Sequence, residues 1–233
     1  MSGFNPRLEI LAPAQRALWP RLAEVPPGFA LYGGTGLALR LGHRESMDFD
    51  LFASDPFDPG ELLGSLKLLR GGEVAQREAN TLSVWIKPDG ADRAVKLSLF
   101  GGLGFPVIDP QDVAPDNGLP IASLRDLAAT KCAALLARVE VKDYQDVAAL
   151  VQSGMSLSEV AACAAAVYPG QIDQVFLLST MTYFEGEAAV VPVAVRRVLL
   201  AAANGVGPGL PPRPTYLSIS AACEAARAAR GSL

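Results

Sequence analysis

The sequence predicts an α+β protein, with a mixed sheet and flanking helices in the N-terminal half and a helical bundle in the C-terminal half. Two observations lead to this prediction. Up to Phe100, short runs of alternating polar and apolar residues are separated by turns rich in glycine and asparagine. Beyond Ala122, alanine and leucine dominate and no further run is typical of a strand. We therefore expect an α/β domain over residues 1–120 and a helical domain over residues 121–233.

The first elements surround a pair of glycines. A helix is predicted over residues 13–23, bent or shortened by Pro20, because proline cannot donate a helical hydrogen bond. Residues 29–32 form a short predicted strand that ends at Gly33-Gly34. Thr35 is expected to cap a short helix that runs to Leu41, and the alternating segment MDFDLF follows as a second strand.

The remaining elements follow from cap residues, alternation and helical spacing. Asp58 and the proline after it indicate a helix that begins at Asp58 and runs to Leu69. Further strands are predicted over 73–78, 81–87 and 94–100, with turns at Ala79-Asn80 and Pro88-Asp-Gly. Helices are predicted over 123–141, 142–151, from Ser156 onward, 171–182, 193–203 and 218–230.

Composition and charge narrow the possible functions. No apolar stretch approaches the length of a membrane span and the first residues do not resemble a secretion signal, so we expect a cytoplasmic protein without a membrane partner. The net charge is −4, so any contact with nucleic acid must be local. Three scattered cysteines favour buried thiols over disulfides or zinc. The basic run of Arg125, Lys131, Arg138 and Lys142 is typical of a solvated helix face.

The two aspartates of MDFDLF carry the strongest chemical signal. Residues two apart on a strand point to the same side, so Asp48 and Asp50 share one face while Met47, Phe49 and Leu51 are buried on the other. Two carboxylates this close need a neutralising cation, and Mg²⁺ is commonly held by one or two carboxylates together with substrate phosphates.

The glycine turn fits the same chemistry. Gly33 and Gly34 allow close approach of the backbone to a phosphate group, and the N–H groups at the start of the following helix point toward an anion. These residues and the aspartates together predict a site for a metal ion and a triphosphate.

Arg44 and Ser46, between the glycines and the aspartates, can each be interpreted in two ways. Arg44 either pairs with the aspartates or faces the triphosphate, and Ser46 either lines the pocket or is an ordinary polar residue at a strand edge. His43 has no second histidine or nearby cysteine, which disfavours zinc.

Gly33-Gly-Thr followed by Asp48-Phe-Asp resembles the glycine and Asp-x-Asp signature of the nucleotidyltransferase superfamily. The string GGTGLALRLGHRESMDFDLF and the later string DLAATKCAALLARVEVKDYQDVAALV are similar to the AbiEii/MenA-like nucleotidyltransferase toxin family. The resemblance covers roughly residues 31–151. It implies a nucleotidyltransferase core with a helical C-terminal half, transfer of a nucleoside monophosphate from an NTP to an acceptor such as tRNA, and a cognate antitoxin.

The resemblance also implies a role for each matching residue. Gly34 and Thr35, following Gly33, would hold the triphosphate, and Asp48 and Asp50 would bind Mg²⁺. In the helical half, Lys131 would contact phosphates, and Asp146 or its neighbour Asp143 would complete the site. Without the resemblance, Lys131 would be interpreted as a solvated lysine, and the two aspartates as acids that favour a helix start.

The sequence departs from the superfamily at one position. A third acidic residue usually lies on a strand beside the Asp-x-Asp strand, and here the corresponding residue is Ser98. Glu78 or Asp92 could replace it, one metal ion could bind only with substrate, or transfer could be lost. Two alternative functions therefore remain: an inactive nucleotide- or partner-binding protein with the same fold, and a nucleotidyltransferase that modifies small molecules such as antibiotics.

Overall fold

A computed structural model describes residues 4–231. The chain divides into two compact units, one formed by Met1–Ser123 and Tyr216–Leu233 and the other by Leu124–Thr215. The boundary after Ser123 lies close to the predicted one at residue 120. The prediction of one helical domain over 121–233 differs from this division, because the chain from Tyr216 onward packs with the N-terminal unit.

The first unit contains a mixed sheet of seven strands within the described part of the chain, which confirms the predicted fold class. In chain order they are β1 (Ala30–Tyr32), β2 (Phe49–Phe52), β3 (Glu73–Glu78), β4 (Thr81–Ile86), β5 (Val95–Phe100), β6 (Asp112–Val113) and β7 (Pro120–Ile121). Their order in the sheet is β3-β4-β5-β2-β1-β7-β6. Strand β2 pairs antiparallel with β1 and parallel with β5.

Three helices of this unit lie in the N-terminal part of the chain. They are α1 (Pro13–Leu18), α2 (Gly33–Leu41) and α3 (Pro59–Ser65). After Leu18 the chain continues as a 3-10 helix over Trp19–Glu24, so Pro20 shortens the α-helix as predicted. Asp58 caps α3 by accepting a hydrogen bond from the Glu61 N–H at 2.8 Å.

The second unit is helical, as predicted. Its helices are α4 (Leu124–Ala137), α5 (Val141–Gln152), α6 (Leu157–Val167), α7 (Gln174–Thr182) and α8 (Val193–Ala202). Ser156 caps α6 and Asp173 caps α7, each accepting a hydrogen bond from a backbone N–H three residues later. The last helix, α9 (Ile219–Gly231), belongs to the first unit, where it packs against β6 and β7.

One face of the sheet forms the core of the first unit. Leu31, Phe49, Leu51, Leu97 and Leu99 alternate along β1, β2 and β5 and belong to a single buried cluster. Met47, which was predicted to join this face, is 39 % exposed because it lies before the start of β2. Asp50 lies between Phe49 and Leu51 and therefore points to the opposite face.

The predicted loop over residues 101–122 contains two short strands that sequence reasoning missed. Strand β7 pairs with β1 through Leu31 and Ile121, and β6 pairs with β7. Each has two residues, too few for an alternation pattern.

Within residues 4–231, no single helix is long and apolar enough to cross a membrane, although the bent pair Val141–Gln152 and Leu157–Val167 passes that test by length and composition when taken together.

Candidate active site

Asp50 and Gly33 are in direct contact where β1 passes into α2. Gly33 has a φ of +67°, which side-chain-bearing residues rarely adopt, and it begins α2 immediately after β1. A Cβ atom on Gly33 would overlap the Asp50 carboxylate and lie 3.0 Å from the Asp50 Cβ. Glycine is thus required here both by the backbone and by the packing of Asp50 over it.

Arg44 and Ser46 lie over the second glycine. A Cβ on Gly34 would come within 2.7 Å of the Ser46 Oγ and 2.8 Å of an Arg44 guanidinium nitrogen. The loop between α2 and β2 therefore brings a cation and a hydroxyl to the first turn of α2, close to the Asp50 carboxylate. The four predicted residues Gly33, Gly34, Arg44 and Ser46 are brought together with Asp50.

Thr35 has a different local role from the predicted helix cap. The helix begins at Gly33, and Thr35 is almost completely buried within it. Its hydroxyl donates to the backbone carbonyls of Asp48 and Ser46, the latter at 3.4 Å. Because its hydroxyl is bonded to the segment that leads into β2, Thr35 fixes the position of Asp48 relative to α2.

Asp48 directly precedes β2 and is partly exposed, as is Asp50. Phe49, between them, is completely buried in the core. Because Asp50 alternates with buried Phe49 and Leu51 in β2, its carboxylate lies on the face away from the core, and that Asp48 shares this face stays a prediction. The pair offers only oxygen ligands beside a helix N-terminus, which suits a hard divalent cation shared with phosphate groups.

Ser98 is the direct neighbour of Asp50 in the sheet, since the parallel register of β2 and β5 pairs Asp50 with Ser98. Ser98 is 1 % exposed. Its hydroxyl accepts a hydrogen bond at 3.0 Å from Ser83, its partner on the antiparallel neighbour β4. The place beside Asp50 is therefore occupied by two hydrogen-bonded, uncharged hydroxyls.

Neither Glu78 nor Asp92 supplies the missing carboxylate. Glu78 lies on β3, three strands from β2, which corresponds to roughly 14 Å at the usual strand spacing. Asp92 lies in the exposed segment before β5, where it pairs with Arg93 at 3.9 Å. Within residues 4–231, no group of three or more metal-binding side chains is present. The structure therefore gives no support to the first of the three alternatives, replacement of Ser98 by one of these acids, and the other two stay open.

Lys131, Asp143 and Asp146 form a buried ionic cluster in the second unit. The Lys131 Nζ lies 2.7 Å from Asp146 Oδ2 and 3.4 Å from Asp143 Oδ1. Both carboxylates are completely buried and the lysine side chain is 7 % exposed. Asp143 also accepts from Arg138 at 3.1 Å. The two aspartates do not merely favour a helix start, because each is neutralised by a cation from α4 or its C-terminal end.

All four cations of the basic run form ion pairs within the second unit. Arg125 pairs with Glu159 at 3.1 Å, and Arg138 and Lys142 both pair with Glu140. The hydrogen bond from Lys142 lowers the pKa of Glu140 below its usual range, and the charges of Lys142 and Arg138 act in the same direction. Arg125, Arg138 and Lys142 keep 42–48 % of their side-chain surface exposed, as predicted for a solvated face, whereas Lys131 is buried.

Sequence reasoning missed two residues beside Asp50. Ser83 binds the Ser98 hydroxyl, and Tyr32 is the β1 partner of Asp50 in the antiparallel register. The Tyr32 ring is completely buried and stacks on Phe52 at 4.8 Å between centroids. The alternation of buried and partly buried residues in β2 was visible in the sequence, but the neighbours across the strands depend on the register.

Comparison with known proteins identifies the family of the chain. The family model for the nucleotidyl transferase AbiEii toxin of type IV toxin–antitoxin systems matches residues 17–189. An uncharacterized protein of Aquifex aeolicus (strain VF5) is 31 % identical over 160 residues, which are 67 % of this chain and 74 % of that protein.

Two solved structures share the fold. The nucleotidyltransferase toxin MenT4 from Mycobacterium tuberculosis H37Rv has a TM-score of 0.55 and 16 % identity, over 83 % of this chain and 82 % of MenT4. A candidate nucleotidyltransferase from H. pylori has a TM-score of 0.54 and 17 % identity, over 82 % of this chain and 90 % of that one.

The family match over residues 17–189 identifies the class of protein as a nucleotidyltransferase. The chain belongs to the AbiEii nucleotidyltransferase toxin family, as the two sequence motifs predicted.

Proposed function

We propose that this protein uses Mg²⁺ at Asp48 and Asp50 to transfer a nucleoside monophosphate from an NTP to RNA, with tRNA as the first acceptor to test. The observation that carries the proposal is the contact of Asp50 with Gly33 at the N-terminus of α2. It brings a carboxylate and a set of backbone donors to one point, which suits a metal-bound phosphate chain.

Different residues would position the metal ion and the phosphate groups. Asp48 and Asp50 would hold the cation, which neutralises phosphate charge and stabilises the pyrophosphate leaving group. Arg44 and Ser46, placed over Gly34, would orient phosphate oxygens. Thr35 holds the Asp48 backbone through its hydroxyl. Phosphoryl transfer depends mostly on positioning and charge stabilisation, so these supports matter as much as the carboxylates.

Lys131 and Asp146 are proposed to assist from the second unit, as the family motif implies. Lys131 is paired with the buried carboxylate of Asp146, so it must leave that carboxylate before it can contact phosphate oxygens of a substrate. The proposal therefore assigns Lys131 and Asp146 a joint role.

A label-transfer assay tests the activity. Purified protein is incubated with Mg²⁺ and each α-labelled NTP, with and without total tRNA. We expect label on RNA with the wild type and none with Asp48→Asn or Asp50→Asn. Asp89→Asn, an exposed acid in the β4–β5 turn, is the matched control and should retain full activity.

The acceptor is tested in the same assay. Label on aminoglycosides or small alcohols, with none on RNA, would show that the acceptor is a small molecule and not RNA. The net charge of −4 is a reason to test small-molecule acceptors, since RNA binding relies on cations that neutralise phosphates. NTP binding without transfer to any acceptor would instead indicate a binding protein that has lost turnover.

Membership of a type IV toxin family also leads us to propose an antitoxin partner. Expression of the wild type, without that partner, should arrest growth of the host cell, and Asp48→Asn should not. Growth arrest that persists in Asp48→Asn would separate toxicity from the aspartate site.

A further inference from the structure

We infer that the aspartate site binds one divalent cation per chain rather than two, and that Ser98 sets this number. The inference rests on the proposed function, since it assumes that Asp48 and Asp50 hold a metal ion.

The first argument is the chemistry beside Asp50. A two-metal site places its ions about 3.5–4 Å apart and clamps both the attacking and the leaving oxygens, so it needs ligands on both sides of a shared carboxylate. On one side of Asp50 in the sheet is Tyr32, and on the other is Ser98. The Ser98 hydroxyl already accepts from Ser83 at 3.0 Å and carries no charge.

The second argument is the balance of charge on this face of the sheet. Two Mg²⁺ ions bring four positive charges, and Asp48 and Asp50 bring two negative ones. Among residues 4–231, no third acid, histidine or cysteine joins them in a metal-binding group. Lys96 lies on the same face of β5 as Ser98, two residues earlier, and adds a positive charge. The two carboxylates and the phosphates of a bound NTP would neutralise a first cation, whereas a second one would find no third metal-binding carboxylate among the described residues and would add its charge to that of Lys96.

The third argument is that Ser83 and Ser98 stabilise each other as a buried, uncharged pair. Ser83 and Ser98 are both 1 % exposed and face each other directly across β4 and β5. A buried hydroxyl needs a partner, and each serine supplies one for the other. The uncharged state of this position is thus stabilised by the strand next to it.

The number of ions can be counted by electron paramagnetic resonance with Mn²⁺ in place of Mg²⁺. Wild-type protein is loaded with Mn²⁺ and a non-hydrolysable NTP analogue. We expect one protein-bound Mn²⁺ per chain with the spectrum of an isolated ion. Ser98→Asp should bind a second Mn²⁺ and show the spin coupling of two neighbouring ions, while Ser98→Asn, similar in size and uncharged, should remain at one.

The outcomes separate this inference from the proposed function. A spin-coupled pair in the wild type would overturn the inference and leave the proposed function intact. A single ion in well-folded Ser98→Asp would show that Ser98 does not set the number. Binding that is unchanged in Asp48→Asn and Asp50→Asn would overturn both, because the metal would then lie elsewhere. The wild-type count is decisive even if Ser98→Asp fails to fold.

Discussion

The carboxylate of Asp50 packs against the Cα of Gly33, in the space that any other residue at position 33 would fill with its Cβ. Strand β2 and the first turn of α2 are therefore in contact through an acid and a glycine that are 17 residues apart in the chain. The position of the acid, and with it the proposed metal site, depends on this glycine.

Gly33→Ala should lose activity out of proportion to its loss of stability. The positive φ alone makes alanine unfavourable by about 1–2 kcal/mol, and displacement of Asp50 should reduce nucleotide transfer on the order of a hundredfold. Gly71→Ala is the matched control, because Gly71 has a φ of +76° and open space around it. Urea unfolding and the transfer assay compare the two. Equal activity in both variants would show that the Gly33–Asp50 contact has no functional role.

Thr35→Val should misplace Asp48. Valine has nearly the shape of threonine but leaves the partly buried carbonyls of Ser46 and Asp48 without this donor, at a cost of about 1 kcal/mol. Mn²⁺ affinity should fall as well, because the hydroxyl positions the backbone next to a metal ligand. Thr35→Ser keeps the hydroxyl and should retain Mn²⁺ affinity, so a loss of affinity in both variants would implicate the methyl group instead.

Lys131→Met should destabilise the protein strongly. It removes the lysine that pairs with the completely buried Asp146, and removal of one partner of a buried pair costs about 3–5 kcal/mol. Arg125→Met is the control on the same helix, since its pair with Glu159 is partly exposed and is worth about 0–1 kcal/mol. Unfolding in urea measures both. Normal stability with lost activity in Lys131→Met would show that Lys131 acts on substrate alone.

The three cysteine thiols should be unreactive in the folded protein. All three are free and buried, as the sequence predicted. Burial raises the pKa of Cys132 and raises that of Cys223 to about 12, so the reactive thiolate is scarce at pH 8. A thiol reagent such as DTNB should modify none of them until urea is added and then all three. Rapid reaction of one thiol in the native protein would contradict this.

Stability should also fall in alkaline solution. Burial raises the pKa of Tyr168 to about 12 and that of Cys223 to about 12. Groups with a raised folded-state pKa contribute stability that is complete below their unfolded pKa values, near 9 and 10, and is lost as pH rises toward 12. The free energy of unfolding in urea should therefore decrease between pH 9 and pH 11. Cys223→Ala should show a shallower decrease.

Much of the first unit could be predicted from the sequence because its signals are local. A glycine that needs positive φ, an aspartate cap and the alternation of polar and apolar residues each act within a few positions, so the β1–α2–β2 segment and α3 were predicted with small errors at their ends. The start of α2 was misplaced because Thr35 binds backbone carbonyls across the turn, a partner that no local pattern specifies. The superfamily signature predicted that Ser98 stands where a third acidic residue is usual. The register of β2 and β5 places Ser98 beside Asp50.

The sequence by itself thus determined the type of each main element, the position of Asp50 on the face away from the core, and the family. Only the tertiary structure decided that Ser83 would donate a hydrogen bond to Ser98. It alone also decided that two-residue strands would extend the sheet past β1, and that α9 would belong to the first unit. It also decided that Lys131 would be buried against two aspartates. The physical reason is that periodicity and caps depend on neighbours in sequence, whereas strand register, burial and ion pairing depend on which distant segments exclude water together.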